Sequence, residues 1–235
     1  MSISSHDWIA GSTVDPTIFE RWPDYRLVLV AADHVDAAVL AGVAEQLLSQ
    51  AHVVVRASGT SGTSEPDAHT ARWHDAYRGF GIKPRVARPS VDALVRRAAS
   101  DSGLPRINVL VDLYNAVSVL QRVPIGGEDL DRYDGPARLI LATGDEAFHT
   151  TADGAPIVDC AEPGEPVWID GGGITCRRWN WRQTTRTAIQ ADTVRVGFII
   201  DSLDAPEHHG AARAYEQLAA LLPDAQVRVV DINTR

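Results

Sequence analysis

The stretch YRLVLVAAD, residues 25–33, is a compact apolar run of strand length, and HVDAAVLAGVAEQLLSQA, residues 34–51, follows it at once with helical spacing through Val35, Val39, Val43, Leu47 and Leu48. A strand passing directly into a helix commits the chain to mixed α/β packing. The rest of the sequence repeats both patterns. DAHTARWHDAYRGFG (67–81) reads as a helix closed by a glycine, SVDALVRRAASDSG (90–103) as a second, and INVLVDLYNAVSVLQRV (107–123) as a third that stops before Pro124. From ARLILATG (137–144) onward strand-type runs dominate, in PVWID (166–170), GITCRRWNW (173–181) and TVRVGFIID (193–201). HGAARAYEQLAALLPD (209–224) and AQVRVVDI (225–232) add a last helix and strand. SGTSGTSEP (58–66) reads as a flexible turn segment, and DGGGITC (170–176) as a hairpin turn between two strands. With no repeat, coiled coil or low-complexity linker, the expectation is one α/β domain over residues 1–235.

Composition excludes several classes. The 235 residues are 45% hydrophobic and 23% charged, ordinary values for a soluble globular chain. No stretch approaches the roughly 18 apolar residues of a membrane span, and the N-terminus lacks a basic flank before an apolar run. Cytoplasmic residence without a membrane partner is the resulting expectation. Cys160 and Cys176 lack a second pair or a paired histidine spacing, so free thiols are expected, with neither a disulfide framework nor a metal site. His208-His209 reads as solvated. The formal net charge of -9 argues against a large nucleic-acid footprint. A small cationic site can still engage one terminus.

Common catalytic signatures are missing: there is no G-x-S-x-G elbow, H-E-x-x-H, phosphate-binding G-x-x-x-x-G-K-[ST] or dinucleotide fingerprint. Two less generic constellations remain. In LPRINVLVDLYNAVSVLQRVPIGGEDLDRYDG (104–135), Asn108, Asp112 and Asn115 fall on one helical stripe that Ser118 continues. Such a stripe is either a set of caps and internal polar partners or a pocket wall. Beyond it, Gly126 and Gly127 would let a ligand approach the backbone beside Glu128 and Asp129. The second constellation is CRRWNWRQTTRT (176–187), with four arginines and two tryptophans in twelve positions. If it is extended, Arg178, Asn180 and Arg182 share one face, and Arg177, Trp179 and Trp181 the other. Either the tryptophans are core and the arginines solvated, or the stretch binds a nucleotide-like anion, since arginine forks match phosphate and indole faces stack on bases.

LPRINVLVDLYNAVSV, PIGGEDLD, GDEAF and CRRWNWRQTTRT, with the upstream YRGFGIKPRVARPSVDAL, closely resemble freestanding proteins related to the editing domain of the phenylalanyl-tRNA synthetase beta subunit, the B-three/B-four tRNA-binding domain. The likeness covers roughly residues 67–201, with N- and C-terminal α/β additions around it. It implies a mixed α/β fold like that editing domain, and a cofactor-free hydrolase acting in trans on the ester between a wrong amino acid and the terminal ribose of tRNA. Asp112, Glu128 and Asp129 then become the candidate catalytic carboxylates. Asn108, Tyr114, Asn115, Ser118, Gly126, Gly127, Asp145 and Glu146 become candidate substrate contacts. Lys83, Arg88, Arg177, Arg178, Trp179, Asn180, Trp181 and Arg182 become candidate contacts to the aminoacylated 3′ end. The synthetase domain carries a histidine and an aromatic where this chain has Gly126 and Glu128, and a tyrosine-recognising glutamate where it has Ala188. A cationic substrate such as canavanine carried on arginine tRNA is therefore expected in place of tyrosine. A noncatalytic tRNA-binding or synthetase-associated module, and an enzyme acting on a small free metabolite, are the alternatives.

Overall fold

The computed structural model describes residues 3–59, 66–152, 154–203 and 209–234. Most of the 58–66 turn segment and His208 lie outside the described residues. The chain opens with α1 (Ser5–Gly11), β1 (Thr13–Val14) and α2 (Pro16–Arg21). These short elements are missing from the sequence reading because their signal lies in caps instead of periodicity: Ser4 accepts from the Asp7 amide, Asp15 accepts from the Thr17 amide, and Pro16 occupies the first helical turn.

The expected strand and helix follow as β2 (Arg26–Ala32) and α3 (Ala37–Ala57). β2 is buried at every position after Arg26, because it lies inside a four-stranded antiparallel sheet covered on both faces, in the order β11 (Gln226–Val230), β2, β10 (Val196–Ser202), β3 (Ile125–Asp129). The helices α4 (Ala68–Gly79), α5 (Ser90–Ala99), α6 (Val109–Gln121) and α7 (Gly210–Leu221) match the four expected downstream of the turn segment, each with shorter ends. By length and composition α3 is apolar enough to cross a membrane, contrary to the sequence expectation. Here it packs along α6 and α5, burying Leu40, Ala44, Leu47, Leu48, Ala51 and Val55.

A second, five-stranded sheet runs β1-β4-β7-β8-β9, through β4 (Arg138–Leu141), β7 (Pro166–Asp170), β8 (Gly173–Arg177) and β9 (Arg182–Gln183). β7 and β8 meet in the expected tight turn, with Asp170 paired to Gly173. Between β4 and β7 a separate hairpin, β5 (Ala147–Ala152) with β6 (Ala155–Cys160), carries an exposed outer strand. The GITCRRWNW run corrects one expectation. The strand stops at Arg177, and Arg178 and Trp179 take positive φ angles of 49° and 67° before β9 begins. Alternation therefore fails beyond Arg177: Trp179 turns into the core among Trp22, Tyr25 and Trp73, while Trp181 stays partly exposed.

Candidate functional site

The β3–β10 edge of the first sheet, β7 to β9 of the second, and helices α5 and α6 enclose a cavity of about 260 Å³. Both sequence constellations contribute to it, Tyr114, Asn115, Gly126 and Glu128 from one, and Trp179, Asn180, Trp181 and Arg182 from the other. In the ladder Gly126 faces Ile199 across the strands, so Gly126 and Glu128 share a face with Ile199 and Asp201. Gly126 leaves the floor open, since a Cβ there would meet nothing within 4 Å. Gly127 has a different task. A Cβ on it would come within 2.6 Å of the Tyr114 ring and 2.8 Å of Ile189, so its missing side chain is what lets α6 seat on β3.

Glu128 is buried, and burial pushes its carboxyl up to about 8, against the hydrogen bond from Gln183 and the nearby Thr187 hydroxyl, which favour the ionised form. Gln183 Nε2 donates to Glu128 Oε2 at 2.7 Å and to the Gly127 carbonyl at 2.5 Å, fixing the carboxyl. Tyr114 lies nearby with its phenol raised by burial and by the Glu128 charge. Asn115 is buried on the cavity wall and makes no side-chain hydrogen bond to another described residue. A second buried carboxyl, absent from the sequence candidates, is Asp201 at the end of β10. Burial raises it to about 7; the Tyr25 hydroxyl donates to it at 2.7 Å, and the N–H groups of Trp168, Trp179 and Asn180 face it. Those last three lack a completed hydrogen bond of their own, so Asp201 sits in a converging set of donors. The readable signal was a carboxylate closing an otherwise apolar strand, VGFIID. Cys176 also lines the cavity, but burial raises its thiol well above the ordinary value, which disfavours a nucleophilic thiolate.

Other candidates belong to the scaffold. Of the candidates Asn108, Asp112, Asn115, Glu128 and Asp129, Asn115 and Glu128 line the cavity and the other three do not. Asn108 caps α6 by accepting from the Val111 amide at 3.0 Å and donates to the Ile189 carbonyl. Asp112 accepts from the Ile107 amide at 2.9 Å and pairs with Arg106 at 3.0 Å. Ser118 donates to the Val123 carbonyl, which closes the turn after α6. Asp129 holds Thr193 at 2.7 Å, the Asp131 amide and Arg132. Each helical position of the stripe except Asn115 thus satisfies backbone or a neighbouring charge. Glu146 accepts from the Thr143 and Gly144 amides, which holds its carboxyl below the usual range, and Asp145 is exposed on the same turn. Neither lines the cavity.

Half of the arginines in CRRWNWRQTTRT are likewise committed. Arg177 is buried in a bidentate pair with Glu165, at 2.9 and 2.7 Å, and also reaches Asp159 at 2.7 Å. Arg186 clasps Asp170 at 2.8 and 2.6 Å. Arg178 stacks its guanidinium 4.1 Å from the Trp181 ring centroid, and Arg182 lies 5.5 Å from the same ring. Trp181 and Arg182 form the rim, whereas Trp179 is core and unavailable for base stacking.

Lys83 and Arg88 stand elsewhere, in a wide groove of about 660 Å³ between α4 and α5 with Arg78, Arg85 and Arg96. Among the described residues no cluster of histidine, cysteine or acidic side chains could hold a metal ion, and both cysteines are free.

The model of the B3/4 domain matches residues 72–220. This chain belongs to the B3/4 domain family. The match takes in every residue lining the cavity and extends beyond it into α7. No curated protein matches. Among solved structures, an N-terminal fragment of the phenylalanyl-tRNA synthetase beta-subunit from Pyrococcus horikoshii matches at 13% identity and a TM-score of 0.46. It aligns with 92% of this B3/4 chain, which spans 50% of that fragment.

Proposed function

We propose that this B3/4 protein hydrolyses the ester joining an amino acid to the 3′-terminal ribose of tRNA, acting in trans on tRNA charged by a separate synthetase. The observation that carries the reading is the cavity itself: Glu128 fixed by Gln183, the open floor at Gly126 and the Asn115 amide, beneath a rim of Trp181 and Arg182. An aminoacyl ester is already activated, so a positioned water suffices and no protein nucleophile is needed. The water oxygen attacks the ester carbonyl, its proton passes to ionised Glu128, and the ribose oxygen leaves and takes that proton back from Glu128. A carboxyl poised near 8 suits both halves of that transfer. Asn115 supplies an amide donor for the developing oxyanion. Asp112 and Asp129, which are spent on the scaffold, take no part.

The same reading selects a cationic side chain, with canavanyl-tRNA(Arg) the first substrate to test. Beside the Glu128 base, Asp201 gives the small cavity a second buried carboxyl, and a guanidinium-like group held by it would form charge-assisted hydrogen bonds that a neutral side chain leaves unmade. Ala188 supports this, because its backbone bridges Glu128 and it offers no glutamate to a tyrosine hydroxyl. Arginine itself is spared if a donor senses the side-chain oxygen of canavanine and its lower basicity.

The test is a panel of correctly and incorrectly acylated tRNAs, followed by loss of the amino acid. Rapid deacylation of canavanyl-tRNA(Arg) with arginyl-tRNA preserved is expected. Binding without deacylation of any member would assign a noncatalytic module, and equal hydrolysis of free amino-acid esters would assign a small-molecule enzyme.

A further inference from the structure

The cavity leaves a second, cationic surface unused. In the groove between α4 and α5, Arg78, Lys83, Arg85, Arg88 and Arg96 face one space of about 660 Å³, on a chain of net charge -9. One buried carboxylate, Asp92, organises the far wall. It accepts from Arg96 Nε at 2.6 Å, Arg88 Nη1 at 3.0 Å and His74 Nε2 at 3.0 Å, and these partners hold it down to about 2 against the opposing effect of burial. Arg78 pairs with Asp75 at 2.6 Å, and Asp92 is shared by Arg88 and Arg96, so two carboxylates face five cations, and Lys83 and Arg85 have no ion-pair partner among the described residues. Fixed guanidiniums beside unpaired cations cost self-repulsion unless an anion arrives, and the breadth of the groove suits a chain of charges better than a single one.

We propose that this groove binds the phosphodiester backbone of an RNA strand at a site separate from the cavity, with Lys83 and Arg85 as the principal phosphate contacts and Arg88 and Arg96 as pre-oriented forks. The path between the two sites is short in sequence: Arg88 lines the groove, Ser90 lines the cavity, and the Ser90 amide donates to the Asn180 carbonyl on the cavity wall. A strand whose 3′ end enters the cavity would pass its preceding phosphates over the start of α5. RNA is named as the polyanion on the strength of the proposed function, but the groove's phosphate binding needs no hydrolysis to be observed.

The experiment is fluorescence anisotropy of labelled, unacylated tRNA with the full chain between 50 and 200 mM salt. Lys83→Ala/Arg85→Ala should weaken binding about tenfold at the low end. It should also lower the slope of log affinity against log salt by about 1.5, since each lost phosphate contact removes roughly 0.7 to 0.9. Lys83→Glu/Arg85→Glu should weaken it further, and thermal melting should match the parent because both side chains are exposed. Arg213→Ala, a cation on α7 outside the groove, should change neither affinity nor slope. Parental affinity and slope in the groove variants, or an equal loss in Arg213→Ala, would overturn the proposal. Failure of the hydrolase reading is a separate result, visible as groove-dependent tRNA binding without deacylation of any charged tRNA.

Discussion

The cavity and the cationic groove share the start of α5 but solve opposite physical problems. In the cavity, Glu128 and Asp201 are almost fully desolvated and each must be met by a donor, so single atoms decide the energy. In the groove water reaches most of the cations, so their sum matters more than any one of them. The stretch 176–187 shows the same division in twelve residues. Arg177 and Arg186 are locked onto Glu165 and Asp170 as scaffold, Arg178 stacks on Trp181 with its Nε 3.8 Å from Glu165, and Arg182 remains at the rim beside Trp181. Counting arginines in a sequence therefore overstates the charge a ligand meets.

The sharpest break between the two regimes is Arg177→Ala against Arg85→Ala. Removing Arg177 leaves Glu165 buried without its bidentate partner, and a broken buried pair costs about 3–5 kcal/mol. Arg85 is exposed and unpaired, so its loss should fall within about 0.5 kcal/mol of the parent. Urea denaturation of both variants checks this. Equal, small effects would show that the rim does not depend on the Arg177–Glu165 pair.

What the sequence made legible follows the same division. Long periodic elements were readable, β2 with α3 and the apolar face of α6, because burial over many residues enforces their pattern. β3 was not read as a strand, since IGGED has little β propensity and is held by pairing with β10 instead. The α6 stripe had two readings, and the structure divides them: Asn108, Asp112 and Ser118 serve capping and neighbouring charge, and Asn115 reaches the cavity. The alternation assumed through Trp181 failed because positive φ at Arg178 and Trp179, paid for by the aromatic cluster around Trp179, leaves no periodic trace. The groove was half visible, in Lys83 and Arg88, but the convergence of Arg78 and Arg96 on it depends on how α4 meets α5.

pH separates the regions next. The Glu128 carboxyl is raised to about 8 from an ordinary 4.5, so the folded state binds its proton more tightly than the unfolded chain. That contribution to stability is complete below about 4.5 and is lost as pH climbs through 8; Asp201, at about 7 against 3.8, adds to it with the same sign. Unfolding free energy should therefore fall between pH 5 and pH 8, with Glu128 alone responsible for on the order of 3 kcal/mol. Glu128→Gln should remove roughly half of that slope, leaving the Asp201 share, while abolishing hydrolysis, whereas Lys83→Ala/Arg85→Ala should leave the slope intact. Denaturation curves at pH 5, 6.5 and 8 measure it, and a flat parental profile would contradict the desolvated carboxyl.

Occupancy of the floor gives the third effect. Gly126 has an ordinary backbone conformation and an empty space where a side chain would project, so Gly126→Val should fold with little change in Tm and yet fill the cavity. Hydrolysis of charged tRNA should drop about thirtyfold, or about 2 kcal/mol of transition-state binding. Affinity for unacylated tRNA, set by the groove, should fall much less. A variant that hydrolyses at the parental rate would move the reaction out of this cavity.

The smallest effect should come from Arg182→Ala, and it tests the boundary between the two regimes. Arg182 lines the cavity mouth but is exposed, with its guanidinium 5.5 Å from the Trp181 ring centroid and Arg178 closer, at 4.1 Å, to the same ring. An exposed cation of this kind contributes about 0.5–1 kcal/mol, a few-fold in affinity. If it meets one phosphate of the entering 3′ end, the salt slope should also fall by about 0.7, the value for a single-strand contact. Because hydrolysis requires that end to be seated, kcat/KM on charged tRNA should decline by the same few-fold factor with kcat nearly unchanged, the signature of uniform binding lost from substrate and transition state alike. A fall in kcat with an unaltered salt slope would instead place Arg182 inside the chemistry, and the rim would then belong to the desolvated regime of Glu128 and not to the solvated one of Lys83 and Arg85.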